Sequence, residues 1–217
     1  MTGEQLQTFL ENLLDDAPDV TMEFQLLSQA KNIIERTYKP KILEKNDSSN
    51  TRSSGDTYLT MKNLADDFRS MNKFYVGTQQ YLPVPFNRRI DYRSTGLKYY
   101  IDYRNSQFAV CGAAGSGETI SYFYQMKTTD LTEANKSSTI ITWPSEFHPL
   151  CAYVAARIQQ GNVDPDNISI RQSLAQNAEA IILLDAFLAW DLEIKAAEQD
   201  NQRQWEGEDV PIDIGLL

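Results

Sequence analysis

Residues 98–126 run Lys98-Tyr-Tyr-Ile-Asp-Tyr-Arg-Asn-Ser-Gln-Phe-Ala-Val-Cys-Gly-Ala-Ala-Gly-Ser-Gly-Glu-Thr-Ile-Ser-Tyr-Phe-Tyr-Gln-Met126. Three segments within them, Lys98–Tyr103, Gln107–Cys111 and Thr119–Met126, are rich in Tyr, Phe, Ile and Val, residues that fit a pleated surface. Arg104-Asn-Ser106 and the glycine-bearing Gly112–Gly117 separate them, so the stretch predicts a three-strand meander with a hairpin loop at its glycines. Tyr58–Met61, Lys73–Val76 and Tyr81–Val84 read as further short strands, and Asn87–Arg93 as one or two helical turns. Asn46–Asp56 is almost wholly polar and reads as an exposed loop ahead of this β territory. Eight of the eleven tyrosines lie between Tyr75 and Tyr124. That density suits a thin sheet with both faces partly wet, or an interface, and the thin sheet is the simpler reading.

Outside this territory the chain is helical. Thr2 and Gln5 form a capping box, after which Leu6, Phe9, Leu10, Leu13 and Leu14 recur at helical spacing as far as Asp15-Asp16-Ala17-Pro18. A second helix is expected from Val20 to about Lys39, ended or kinked by Pro40. Pro144-Ser145 opens a third, Glu146–Gln160, with Pro149 tolerated in its first turn and Gly161 as its stop. Ser169 and Gln172 make another capping box, opening one long helix to about Gln199. Its middle, Ile181-Ile-Leu-Leu-Asp-Ala-Phe-Leu-Ala-Trp190, is apolar almost all round and predicts a helix enclosed on several sides.

The expected architecture is therefore α+β, mainly α. Residues 1–45 and 143–200 form a small helical bundle from both chain ends, residues 56–142 an inserted β-rich lobe, and residues 201–217 a polar linker and an extended C-terminal tail. In that tail Val210, Ile212, Ile214 and Leu216 alternate with Pro211, Asp213 and Gly215, and Leu217 closes the chain. This is a strand pattern with no hairpin partner beside it, so the tail must fold back on its own domain or add to another sheet edge. Val210, Pro211, Ile212, Ile214, Leu216 and Leu217 are thus candidate partner-binding residues.

Formal charge is -10, from 20 Lys and Arg against 30 Asp and Glu, and argues against an overall electrostatic grip on nucleic acid. The charge is segregated. Between Arg69 and Arg104 seven basic residues face two acids, while between Asp185 and Asp213 nine acids face two bases. Such runs are either solvated faces or complementary surfaces of neighbouring copies in a ring, which makes Arg88, Arg89, Arg93 and Arg104 candidate interface residues. Cys111 and Cys151 sit in apolar stretches and read as buried, reduced thiols. The N-terminus has no signal-peptide pattern, and the longest apolar run, Ala180–Trp190, is too short to span a membrane, so a cytoplasmic product is expected.

The residue types needed for catalysis are thinly supplied. His148 is the only histidine, and although Cys151 lies three residues on, no further ligands stand at zinc spacing and an i, i+3 pair leaves little room for a substrate. Holding a backbone carbonyl or packing on Trp143 suits His148 better. Gly112–Gly117 lacks the helix and the Lys-Ser or Lys-Thr of a phosphate-binding loop. The acid pairs Asp15-Asp16, Asp66-Asp67 and Asp164/Asp166 fall in turns and helix ends, where capping explains them. No catalytic, metal-binding or cofactor-binding residue is assigned. Asp185 interrupts an apolar helix and should meet a base, with Arg157 or Lys195 the candidates.

Three passages carry a resemblance: Thr2-Gly-Glu-Gln-Leu-Gln-Thr-Phe-Leu-Glu-Asn-Leu-Leu-Asp-Asp16; Gly55-Asp-Thr-Tyr-Leu-Thr-Met61 with Asp66-Asp-Phe-Arg69; and Trp143-Pro-Ser-Glu-Phe-His-Pro149. Together they resemble the head-to-tail connector adaptors of tailed phages, virion proteins that sit beneath the portal ring. The resemblance implies a helical bundle with an inserted β lobe, repeated in a homo-oligomeric ring, commonly of twelve copies, around a channel through which double-stranded DNA passes without specific binding. It implies a portal protein as one partner, often met by the C-terminal segment, a tail, stopper or nozzle protein as another, and a place in the virion neck after synthesis in the host cytoplasm. Two other classes remain open: a tail terminator, stopper or gatekeeper ring of the same neck, and an unrelated enzyme or nucleic-acid-binding protein using the arginines and aromatics between Arg88 and Arg104.

Overall fold

Thr2 begins the first helix, α1 (Gly3–Glu11), as a capping residue: its hydroxyl accepts from the Gln5 amide at 3.3 Å, and Gln5 Oε1 accepts from the Thr2 amide at 2.9 Å. The computed structural model describes residues 1–16, 18–112, 117–161 and 170–205. The fold is α+β and mainly helical, in two units: one drawn from Met1–Ile42 and from Thr129 onward, the other from Leu43–Thr128.

In the helical unit, Asp19 caps α2 (Val20–Tyr38) by accepting from the Met22 amide at 3.0 Å. The helix ends as Pro40 requires, with Lys39 in the left-handed region at φ 47° because a residue before proline is kept from the right-handed helical well. Pro149 is the first residue of α3 (Pro149–Gln159), behind a 3-10 turn at Ser145–Phe147. Leu150 through Ala156 are all buried, seven consecutive residues and so every side of the helix. Three alanines, Ala152, Ala155 and Ala156, let neighbouring elements close in around it. The helix enclosed on all sides is therefore α3, and not the apolar Ile181–Trp190 as the sequence suggests.

The final helix is two. A short α4 (Ile170–Ser173) stops, and Asn177 restarts the chain as α5 (Ala178–Trp205), its side chain accepting from the Ala180 amide at 3.0 Å. That local capping bond outcompetes a continuous helix; Ser169 lies outside the described residues. In α5, Ala180, Leu184, Phe187 and Asp191 form one buried stripe at helical spacing, while Ile182 and Leu192 on other faces are 69% and 64% exposed. The helix continues to Trp205, so the linker expected from residue 201 starts as helix; Gln, Asn and Arg are tolerated at such positions.

The β unit holds two four-stranded sheets. Sheet one has the order β1 (Glu44–Arg52), β8 (Glu118–Met126), β3 (Phe68–Val76), β4 (Gln79–Gln80); sheet two has β2 (Lys62–Asn63), β7 (Gln107–Val110), β6 (Lys98–Asp102), β5 (Leu82–Pro83). The expected meander is thus broken: β6 and β7 pair antiparallel, but β8 leaves for the other sheet, and Gly112–Gly117 belongs to a connection between sheets instead of a hairpin. Gly112 has φ +83°, and a Cβ there would lie 3.1 Å from Gly96 Cα. Residues 113–116 fall outside the described residues.

Rings from both sheets meet in one core, with Phe74 stacked on Tyr99 at 4.3 Å and edge-on to Phe108 at 5.2 Å. Most of the clustered tyrosines consequently do not line a wet sheet: Tyr81, Tyr99, Tyr100, Tyr122 and Tyr124 are buried, while Tyr75 and Tyr92 are partly buried and Tyr103 is exposed. Three of the hydroxyls reach acceptors at the core edge, Tyr100 the Tyr58 carbonyl at 2.5 Å, and Tyr122 Asp47 and Tyr124 Asp67, each at 2.7 Å.

Of the polar stretch Asn46–Asp56 read as a loop, Asn46–Arg52 belongs to strand β1 and only Ser53–Asp56 is a turn. The strand pairs with β8 from Glu44↔Gln125 to Arg52↔Glu118, with an irregularity between Asp47 and Asn50. An edge strand needs only one paired side, and polar side chains can face water along it. The lobe therefore begins at residue 43, not 56. It ends at 128, not 142, because Leu131 and Ile141 are buried in the helical core and Ser28 Oγ accepts from the Leu131 amide at 2.6 Å. Tyr58–Met61, expected as a strand, is a turn held by Thr57 and Thr60, whose hydroxyls accept from nearby amides at 3.2 and 2.9 Å.

Candidate functional site

Arg88 and Arg89 stand on a 3-10 segment, Phe86–Tyr92, and Arg93 is its capping residue. No residue of the segment is buried, and it carries two large exposed apolar side chains, Phe86 at 41% and Ile90 at 55%. Three residues per turn put Ile90 and Arg93 on one ridge, with Phe86 and Arg89 on the next. The Arg89 guanidinium lies 4.0 Å from the Phe86 ring centre and donates to the Phe86 carbonyl at 2.8 Å. Arg88 pairs with Asp91 at 3.2 Å. The surface is at once apolar and cationic.

Arg104 is elsewhere. It sits in the turn joining β6 and β7, whereas the Arg93 carbonyl is bound by Gly112 at the opposite end of that hairpin. The strand length separates them by about 17 Å. Three of the four candidate arginines are thus brought together and the fourth is not. The tail residues Val210, Pro211, Ile212, Ile214, Leu216 and Leu217 lie outside the described residues.

The helical unit presents a second exposed surface, absent from the sequence reading. An open groove of about 290 Å³ runs between α1, α3 and α5, lined by Phe9, Pro149, Tyr153, Ile182 and Ala186. Glu146 and Glu179, both exposed, add their carboxylates to the same lining. The Tyr153 hydroxyl bonds Glu179, and burial, then this carboxylate, push its pKa up to about 12. Its sequence signal was Ile182, on the opposite side of α5 from the Leu184–Phe187 stripe.

The remaining chemical candidates are structural. His148 is buried; its Nε2–H donates to the Trp143 carbonyl at 2.8 Å, which leaves Nδ1 to accept from the Met1 ammonium at 3.1 Å. Burial lowers its pKa and favours this neutral form. Burial also raises the Cys111 and Cys151 thiols, so neither is a thiolate nucleophile at neutral pH.

Asp185 meets neither Arg157 nor Lys195. It pairs with Arg171, half-exposed, because its position on α5 faces away from the core. The buried acid described on α5 is Asp191, which accepts from the Lys41 amide at 2.6 Å and from Lys195 at 2.5 Å. Among the described residues no group of three or more His, Cys, Asp or Glu is placed to hold a metal, and no helix is long and apolar enough to cross a membrane. What the arrangement offers is contact chemistry: a cationic apolar ridge on one unit and an anionic apolar groove on the other. No protein-family model matches this chain, and no curated protein is significantly similar to it.

Proposed function

We propose that this chain is a non-enzymatic structural protein of the tailed-phage neck, a head-to-tail connector adaptor that assembles as a ring beneath the portal. The observation that carries the reading is the layout: helices from both ends of the chain build one unit, and a β unit is inserted between them at Leu43–Thr128. That is the organisation the sequence resemblance implies. The exposed apolar ridge and groove add support, since a chain that works alone gains little from holding such faces in water. The C-terminal tail, Val210 to Leu217, anchors the adaptor on the portal as an added strand. The acidic C-terminal region, nine acids against two bases from Asp185 to Asp213, repels the passing duplex and lets it slide.

The test is light-scattering mass after mixing the protein with portal rings from the same genome, comparing the full chain with one ending at Glu208. Binding by the full chain that is lost on truncation supports both the adaptor role and its anchor. Binding by both places the portal contact on the body. Binding by neither overturns the adaptor reading in favour of a stopper or terminator ring, or of an enzyme or nucleic-acid-binding protein.

A further inference from the structure

We infer that neighbouring copies join by inserting the Phe86–Tyr92 ridge of one into the α1/α3/α5 groove of the next. The inference deepens the ring reading above and rests on it. Each face is exposed on its own unit, with Ile90 at 55% and Ile182 at 69%. Ile90 supplies an apolar knob, and Phe86 on the next row is held edge-on against buried Tyr100 and beneath Arg89. Arg88 and Arg93 stand around the knob, with Asp91 as the one acid in the segment. The groove supplies an apolar floor with Glu146 and Glu179 and has no basic residue in its lining. At about 290 Å³ it is at the small end of ligand pockets and suits one or two side chains.

Charge decides between possible occupants. The chain's own tail carries Asp209 and Asp213 and no base, so it would set like charge against Glu146 and Glu179. A phosphate backbone would be repelled in the same way. The ridge has the opposite sign, and because ridge and groove are different surfaces, the contact is heterologous and propagates from copy to copy.

Charge reversal tests this with a mixing signature. Arg88→Glu with Arg93→Glu makes ridge and groove both anionic; Glu146→Arg with Glu179→Arg makes both cationic. Each variant alone should associate about tenfold more weakly than wild type, or less still. Mixed together they should assemble, since every ridge then finds a groove of opposite sign, and should do so only as alternating copies. Ile90→Asp should weaken association about tenfold whatever it is mixed with. Light-scattering mass across a concentration series, alone and with portal rings, reads all of these, with circular dichroism as the check that each variant is folded. Variants that assemble like wild type, or a mixture that stays apart, would overturn the contact and leave the connector reading standing. A wild-type chain that remains monomeric under both conditions would overturn both.

Discussion

Changing Tyr122 to Phe removes a single hydroxyl from the edge of the β unit's core and leaves its ring contacts in place. Tyr122 has no exposed surface, and its ring lies 5.6 Å from Phe108 and 6.2 Å from Phe74, contacts that a phenylalanine keeps. The hydroxyl donates to Asp47 Oδ2 at 2.7 Å and accepts from the Ala65 amide at 3.0 Å. A hydrogen bond to a charged group contributes about 1.5–3 kcal/mol, and an amide left without its acceptor costs about 1 kcal/mol or more. Both bonds are only part-buried, so water recovers some of this. The expected net loss is about 2 kcal/mol, or a fall in Tm of about 4–8 °C in a chain of this size.

The loss should depend on pH, with a definite sign. Burial pushes the Asp47 pKa up, but hydrogen bonds from Ser49 and Tyr122 outweigh it and hold the group below its ordinary value. Its contribution is therefore present above the unfolded pKa, about 4, and fades as pH falls through the lower folded pKa. Urea titrations followed by tyrosine near-UV circular dichroism, at neutral pH and again in acid, measure both. Equal stability of the two proteins at neutral pH, or a difference that stays constant into acid, would refute the reasoning.

Three further outcomes are expected. Phe187→Ala should cost about 3–5 kcal/mol in thermal unfolding, because that fully buried ring packs against Trp143, Phe147 and Trp190, whereas Ile182→Ala on the exposed side of the same helix should stay within about 0.5 kcal/mol. Asp185→Leu removes only a half-exposed pair and should change stability by under about 1 kcal/mol. Asp191→Leu leaves the Lys41 amide and Lys195 without their acceptor and should cost about 2 kcal/mol or more. A thiol reagent at neutral pH should label neither Cys111 nor Cys151 until denaturant is added; rapid labelling of either in the native protein would contradict their burial.

The starts of the first two helices were legible in the sequence because their causes are local, whereas the third begins at Pro149 instead of Glu146 and the long helix at Ala178 instead of after Ser169. Thr2 with Gln5, and Pro40 just past the end of the second helix, act through bonds and torsions a few residues wide. The strands β6, β7 and β8 were legible for a similar reason, since runs of Tyr, Phe and Ile have few other stable settings. What the sequence by itself determined, then, was the class of the fold, helices at both ends with a β-rich stretch between them, and which stretches are apolar.

Tertiary structure alone decided where those apolar stretches face. β1 is a strand because β8 lies beside it to bind its amides, and nothing in Asn46–Asp56 announces that partner. Ile182 and Phe187 are equally apolar, yet one is exposed and the other buried, because only one side of α5 meets the core. The cationic ridge and the anionic groove arise in the same way: Arg93 joins Ile90 through one turn of 3-10 helix, while Glu146 and Glu179 come to line one groove only when the 3-10 turn Ser145–Phe147 ahead of α3 packs near α5. Burial and proximity are relations between distant segments, so they exist only once the chain has folded.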